Sequence, residues 1–318
     1  MKKKEKEGIM HIRRTPGDRV IDALIITVFV LFTFICIFPF YYLLIKTISD
    51  NDLVTSGRVN FYPLLKNAEG NAVFGVQFNN YTALRNVQDL GSSVLVTVAR
   101  TILGTALMVI TSAWAGYLVT KRKMWKRSFW YRFLVVTMYF NAGLVPWYMN
   151  MLMMGLTDNF LAYIIPGLVA PYNIILVKTY IESIPSSLEE SAVIDGASTV
   201  KVWLRIILPL SVTILATIAI FGAVGNWKSF QDSLLLMNNR PDLYTLQHRL
   251  YVYLTSSSNL GAMMSQGGTI SEQAAQNMLN QRVIQYTVSM VSIIPILLVY
   301  PFMQRYFVKG IMLGAVKG

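Results

Sequence analysis

Apolar residues in this chain neither alternate with polar ones nor recur only on one helical face; over long stretches they run on without interruption. Val20–Ile45 holds a single charge, Asp22, and Val94–Val119 a single charge, Arg100. Phe133–Met154, Phe160–Val177, Ile206–Val224 and Val283–Phe302 hold none. Roughly 20 apolar residues rising about 1.5 Å each cross the hydrocarbon core of a bilayer. The pattern therefore predicts an all-α, polytopic membrane protein with six transmembrane helices, Phe160–Val177 being the shortest run. The first run is too long for a signal-peptide core and no small-x-small site closes it, so it reads as an uncleaved first helix.

Prolines fall within or at the ends of the runs: Pro146, Pro166, Pro171, Pro209, Pro295 and Pro301. Membrane helices accept such breaks where neighbours or water satisfy the freed backbone groups. They read as kinked packing elements or, in the cluster "PGLVAPYN" (166–173), as a shaped interior. In "PDLYTLQHRLYVYL", Leu243, Leu246, Leu250 and Leu254 recur at helical spacing, with Gln247, His248 and Arg249 facing elsewhere. This predicts either a helix resting at the membrane surface or a platform for a partner outside the membrane. "TSSSNLGAMMSQGGTIS" reads as a loop, with Ser271 capping a helix that feeds the last run.

Charge orients the chain. Only 14% of the 318 residues are charged, against about 25% in soluble domains. Of 28 Lys and Arg, nineteen lie in residues 1–19, 121–132, 178–205 and beyond 302. All fall on one side if the helices alternate, so the positive-inside bias places both termini in the cytoplasm. The predicted organisation is a basic cytoplasmic N-terminus (1–19), a first transmembrane helix (20–46) and an extracytoplasmic loop (47–90). A five-helix core (91–309) follows, with a cytoplasmic segment (184–209) and an extracytoplasmic loop (228–282), then a cytoplasmic tail (310–318). The net charge of +12 thus needs no nucleic acid. One cysteine, Cys36, excludes a disulfide framework and a thiolate metal cluster, and His11 and His248 lie too far apart to form a metal site.

The cytoplasmic segment "IPSSLEESAVIDGASTVKVWLRIILP" (184–209) is more organised than a connector of two to eight residues. Pro185 ends the preceding helix, and Ser186 with Glu189, or Ser187 with Glu190, has the spacing of a capping box. Asp195–Gly196 supplies a stop, since glycine accepts the left-handed conformation. Ser198 can cap a second helix with Val200, Trp203, Leu204 and Ile207 on one face, running straight into Ile206–Val224. From physics alone this is either an amphipathic surface connector or a stiff lever driven by a separate engine. The chain has no G-x-x-x-x-G-K-[ST] phosphate loop of its own.

Here the sequence resembles the permease subunits of binding-protein-dependent ABC importers, whose cytoplasmic loop runs E-A-A, three residues, G, nine residues, I-x-L-P. Glu190, Ser191 and Ala192 stand at the first positions, Asp195, Gly196 and Ala197 follow, and Ile206, Leu208 and Pro209 match the end. Ser191 for Ala, and Thr213 where many relatives have proline, are departures. "YPFMQRYFVKGIMLGAVKG" (300–318), "NAGLVPWYMNMLMMGL" and "APYNIILVKTYIESIP" are similar to the maltose-type sugar class, in the branch associated with complex oligosaccharides.

The resemblance implies a type I importer permease fold in the bacterial cytoplasmic membrane. It implies a second homologous permease subunit, two ATPase subunits that use ATP and Mg, and an extracytoplasmic solute-binding protein, with no cofactor on this chain. It also implies that Glu190 pairs with a basic residue of the ATPase, that Gly196 allows the close turn, and that Ala192, Val193 and Ala197 pack in the ATPase groove.

Candidate pathway residues are Arg100, Asn141, Trp147, Tyr148, Asn226, Trp227, Lys228 and Gln231. Aromatic faces stack on sugar rings, whereas amides and cations bond hydroxyls or carboxylates. The same aromatic types also populate membrane interfaces. Arg100, costly inside a membrane, reads equally as a structural residue or a solute contact. Lys228 stands where relatives usually place Asn, and with Arg100 it permits an acidic saccharide. The alternatives are a non-sugar solute on the same architecture, or a stand-alone ion-coupled transporter, which should carry membrane-embedded carboxylates. An intramembrane enzyme would need catalytic motifs such as H-E-x-x-H or G-x-S-x-G, and none is present.

Overall fold

The computed structural model describes residues 16–84, 89–252, 255 and 283–301. The basic start, Leu254, the Ser271-capped helix and the C-terminal segment beyond 301 lie outside the described residues. The chain divides after Phe78 into two compact units.

The first unit begins with α1 (Pro16–Thr47), whose start suits proline's fixed φ. Asp18 in its first turn and Lys46 in its last complement the helix dipole. The hydroxyls of Thr27 and Thr33 donate back to the carbonyls of Ala23 and Phe29, so neither polar group is left bare among apolar side chains. Asp50 then caps α2 (Asn51–Thr55), accepting from the amides of Asp52 and Leu53.

The chain next forms an antiparallel ribbon, β1 (Leu64–Lys66) with β2 (Ala72–Phe74), in the register Leu64↔Phe74. The chain is mostly helical, as expected, and this short ribbon is an addition to that reading. Three-residue strands are too short to show an alternating pattern, and side-chain bonds hold the ribbon. Asn67 Oδ1 accepts from the amides of Glu69 and Asn71 to close the tip, with Gly70 at φ +80°. At the base, the Leu64 amide donates to Ser49 Oγ, the Asp50 amide to Leu64 O and the Gln77 amide to Ile48 O.

The second unit is helical: α3 (Asn79–Ala83), α4 (Leu90–Thr120), α5 (Arg127–Tyr139), α6 (Leu144–Met153), α7 (Pro171–Ile181), α8 (Ser186–Ile194), α9 (Thr199–Val202), α10 (Leu208–Leu210), α11 (Val212–Lys228) and α12 (Gln231–Leu236). A last helix spans Val283–Pro301. α4 is the axis of the unit and packs against α7 and α11 through glycines. A Cβ on Gly116 would sit 2.8 Å from Val177 Cγ1, and one on Gly222 2.3 Å from Met108 Cε. Small residues let helix backbones approach where lipid supplies no hydrophobic drive between them. Tyr117, Val177, Ile181, Val202, Ile207 and Ile218 form the core at one end of this packing.

By length and composition, three helices can cross a membrane among the described residues: Gly17–Thr47, Leu90–Thr120 and Val283–Pro301. Two bent pairs bring the number to five: Phe160–Gly167 with Pro171–Ile181 at 44°, and Thr199–Leu210 with Val212–Lys228 at 79°. The second bend corrects the expectation of a helix running straight into Ile206–Val224. Trp203–Ile207 is a wide π turn, Pro209 has no amide N–H to donate, and the Ser211 amide is shared between Ile207 O (2.9 Å) and Leu208 O (3.2 Å). The Phe133–Met154 run is divided into α5 and α6. Asn141 Oδ1 accepts from the Gly143 amide at 2.9 Å and Gly143 takes φ +89°, a local turn that displaces the helix.

Candidate functional site

The segment after α7 is a helix, a tight turn and a helix. At the end of α8 the Ala197 amide donates to Ala192 O (2.9 Å) and the Gly196 amide to Val193 O (3.0 Å), with Gly196 at φ +79°. This paired bonding is the Schellman stop that Asp195–Gly196 predicts. Ser198 Oγ accepts from the Lys201 amide at 3.3 Å and caps α9, also as predicted.

The capping box is corrected. Pro185 occupies the cap position, so Ser186 and Ser187 lie inside the first turn. Glu189 is drawn away to Lys121 at the end of α4 and lies 3.4 Å from the Tyr117 hydroxyl. Lys121 Nζ also rests 4.0 Å over the Tyr117 ring. The predicted face of the second helix shifts as well. The π turn rotates Val202, Trp203, Ile206 and Ile207 inward, with Trp203 edge-on to Trp114, and leaves Val200 and Leu204 exposed.

Glu190, Ser191, Val193, Asp195 and Gly196 are exposed along this segment, as is Ile194 at 85%. Ala192 and Ala197 turn inward onto the chain's own core. A Cβ on Gly196 would meet nothing within 4 Å, so the surface beside the turn is open. Glu189 was missed as a tether because its spacing from Ser186 suited a cap. Glu189→Gln is expected to raise hydrogen exchange across 186–194 with little change in melting temperature. A partly exposed pair contributes about 1 kcal/mol or less.

A second feature lies among α4, α7 and α11. Gly104, Met108, Asn173, Gly222, Gly225 and Asn226 help line a cavity of about 230 Å³. Asn226 Nδ2 donates to Thr105 Oγ1 (3.3 Å), and Asn173 Nδ2 lies 3.0 Å from Met108 Sδ. A Cβ on Gly225 would meet nothing within 4 Å.

Of the predicted pathway residues, Asn226 alone lines this cavity. Trp227 is held structurally: its Nε1 donates to Ser292 O at 2.8 Å and its ring packs on Leu84, Leu90, Leu246 and Val288. Lys228 and Gln231 are exposed at the end of α11 and the start of α12. Trp147 and Tyr148 are half-buried against Val96, Met151 and Tyr163, and Asn141 makes the turn between α5 and α6.

Arg100, 3% exposed, is clamped by Asp232. Its Nη1 donates to Asp232 Oδ1 (3.1 Å) and Ser229 O (3.2 Å), its Nη2 to Asp232 Oδ2, and its guanidinium lies 4.7 Å over the Tyr163 ring. Next to it the Tyr163 hydroxyl donates to Leu243 O (2.7 Å) and lies 2.9 Å from Ser233 Oγ, which is also 2.9 Å from His248 Nδ1. Asp232, Ser233 and Tyr163 escaped the sequence reading; the Asp in "KSFQDS" was the one available signal.

His248 corrects a further expectation. It is 3% exposed, its ring tilted against that of Tyr244 with centroids 4.0 Å apart, and burial, reinforced by neighbouring Arg249, pushes its imidazole down to about 4. The surface helix through Leu243–Leu254 is replaced by a docked element. Leu243 lies in a 3-10 turn, and residues 246–252 form a helix with Leu246 buried. The Leu246 amide donates to Thr97 Oγ1 (2.8 Å), and Arg249 reaches Ser93 Oγ (3.2 Å) and Asp89 (3.1 Å).

No family model matches the chain. The chain is 32% identical over 301 residues to the polygalacturonan/rhamnogalacturonan transport system permease protein YtcP of Bacillus subtilis, covering 95% of this chain and 99% of that one. It is 34% identical to protein LplC of the same organism over 241 residues, 76% and 77% of the two chains. A crystal structure of a bacterial ABC transporter involved in the import of the acidic polysaccharide alginate superposes with a TM-score of 0.79 at 26% identity, covering 93% of this chain and 99% of the other. With that extent of identity to a transport-system permease and the same fold along nearly the whole length, the chain belongs to the permease proteins of ABC sugar and oligosaccharide transport systems.

Proposed function

We propose that this chain forms one half of the translocation pathway of an ATP-driven, binding-protein-dependent oligosaccharide importer. A second permease subunit supplies the other half, two ATPase subunits dock in the cytoplasm, and a solute-binding protein delivers the sugar from outside. The chain crosses the bacterial cytoplasmic membrane six times with both termini inside, the α5–α6 pair making the broken crossing. The Schellman turn at Gly196 carries this reading. It projects Glu190, Val193, Ile194 and Asp195 from a stiff helix whose far side is tied to α4 through Glu189–Lys121. An ATPase gripping that exposed face would move α4 directly, and through the packed α9 it would move α11.

The solute would pass the cavity beside Asn226 and Asn173, whose amides suit sugar hydroxyls. We assign an acidic oligosaccharide. Polygalacturonan/rhamnogalacturonan and alginate are named for the relatives above. With Arg100 committed to Asp232, exposed Lys228 is offered here as a cation for the solute's carboxylate.

Gly196→Trp and Glu190→Lys are expected to abolish uptake while membrane insertion persists, with the ATPase lost from the affinity-purified assembly. Gly196→Ala is the control. It carries the same left-handed backbone strain, about 1–2 kcal/mol, without the bulk, and should keep the ATPase. Normal uptake in both Gly196→Trp and Glu190→Lys would overturn the coupling assignment.

A further inference from the structure

We propose that the ribbon of the first unit is a membrane-interface anchor, with Phe61, Tyr62 and Phe74 seated at the boundary between lipid headgroups and acyl chains at the Thr47 end of α1. The proposal rests on α1 spanning the membrane, and on neither the solute nor the coupling assignment.

These three rings are 67%, 56% and 74% exposed in a small unit that has apolar places to hide side chains, as Leu53, Val59 and Leu64 do. Aromatic residues left outside such a core mark a contact surface. What covers them is indicated by where they sit. The Gly17–Thr47 helix is 31 residues long, about 46 Å at 1.5 Å per residue, against a hydrocarbon core of roughly 30 Å. Its ends therefore reach into the interfaces. The Thr47 end carries a belt of rings: Phe38 stacks on Tyr42 at 6.0 Å, and Lys46 lies 4.3 Å over Tyr42. Such amphipathic belts sit at headgroup level.

Phe61 joins this belt rather than standing beyond it. Its ring lies 6.4 Å from that of Phe38, and its carbonyl accepts from the Tyr41 hydroxyl. Phe38 is nine residues before Thr47, about 13 Å back along the helix. The chain thus returns alongside the span to the depth at which core gives way to interface. From there Tyr62 and, across the ribbon's base, Phe74 continue the apolar surface laterally. The polar groups are at the opposite end of the ribbon, where Asn67, Glu69 and Asn71 form the tip and Lys66 pairs with Asp52. A ribbon aromatic at its base and polar at its tip matches the gradient of a bilayer interface. The bonds from Ser49, Asp50 and Gln77 fix that orientation relative to α1.

The test uses the full chain purified with its partners and reconstituted in phosphatidylcholine–phosphatidylglycerol nanodiscs. Cys36, the one cysteine, is replaced by serine. Phe61→Cys, Tyr62→Cys, Phe74→Cys and Glu69→Cys are then made singly and nitroxide-labelled. In labelled chains that elute as the native assembly, oxygen, which concentrates in lipid, is expected to relax the spin more than a water-soluble nickel chelate at 61, 62 and 74. The order reverses at 69. Nickel dominating at the three ring positions would place them in water and overturn the proposal. Exclusion of both reagents would also overturn it, by showing that a protein surface covers them. Three independent ring positions keep the result readable if one variant fails to assemble.

Discussion

Replacing Asp232 with alanine is expected to destabilise the purified protein more than any other single change outside its apolar core. The substitution strands Arg100 beside Tyr163, with the Ser229 carbonyl as its remaining partner among the described residues. A buried guanidinium whose carboxylate is removed loses its Coulombic compensation while keeping its desolvation cost. Breaking such a pair typically costs roughly 3–5 kcal/mol. The loss should appear as a lower midpoint when aggregation is followed by fluorescence-detected size exclusion after heating. Arg100→Met with Asp232→Leu together removes both charges and should recover much of the stability, since apolar replacements of a buried pair are often neutral. A native midpoint for Asp232→Ala alone would show that the pair contributes nothing. A double variant no better than Asp232→Ala would show that the pair's geometry, and not its charge balance, is what matters.

The second large effect is expected at Gly225. This glycine lies in α11 on the wall of the cavity, and a side chain there points into open space. Gly225→Ala should be tolerated, and slightly stabilising, because glycine costs a helix roughly 0.5–1 kcal/mol relative to alanine. Gly225→Leu adds bulk in the same direction and is expected to stop uptake without loss of the assembled complex. The neighbouring glycines behave differently. Alanine at Gly222 would press on Met108 and at Gly104 on the Asn226 amide, so those variants report packing as much as passage. Undiminished uptake in an intact Gly225→Leu assembly would remove the cavity from the pathway.

Much of this molecule was legible in one dimension. The long uncharged runs, the capped turn around Asp195–Gly196 and the Ser198 cap depend on neighbours within a few residues. Local spacing therefore predicts them, and the Schellman bonds appear where the glycine stands. That α1 and α4 are long and apolar enough to cross a membrane follows from length and composition alone. The misread elements share a different origin. The capping box around Ser186 and Glu189 had correct spacing, but Lys121, 68 positions away, claimed the carboxylate. His248 looked like a polar face of a surface helix until Ser233, Tyr244 and Thr97 enclosed that segment. Arg100 could be read two ways because its partner lies 132 residues further on.

Which segments are long and apolar enough to cross a membrane, where the helix before Gly196 stops, and which family pattern that segment follows are all set by residues close together in the chain. Hydrophobic transfer and helix capping act over one or two turns, and those distances are written in the chain. Which charges are paired internally and which remain exposed depends instead on helices brought together from distant parts of the chain. Glu189 and Arg100 are consumed by Lys121 and Asp232, whereas Glu190 and Lys228 are left outward. The tertiary structure also decided where a run breaks: Pro209 alone permits a bend, but the 79° at Ser211 arises together with the π turn that seats Val202 and Ile207 against Tyr117. A side chain's role in this protein depends on the partner that folding brings to it, and that partner is set by the packing of distant helices.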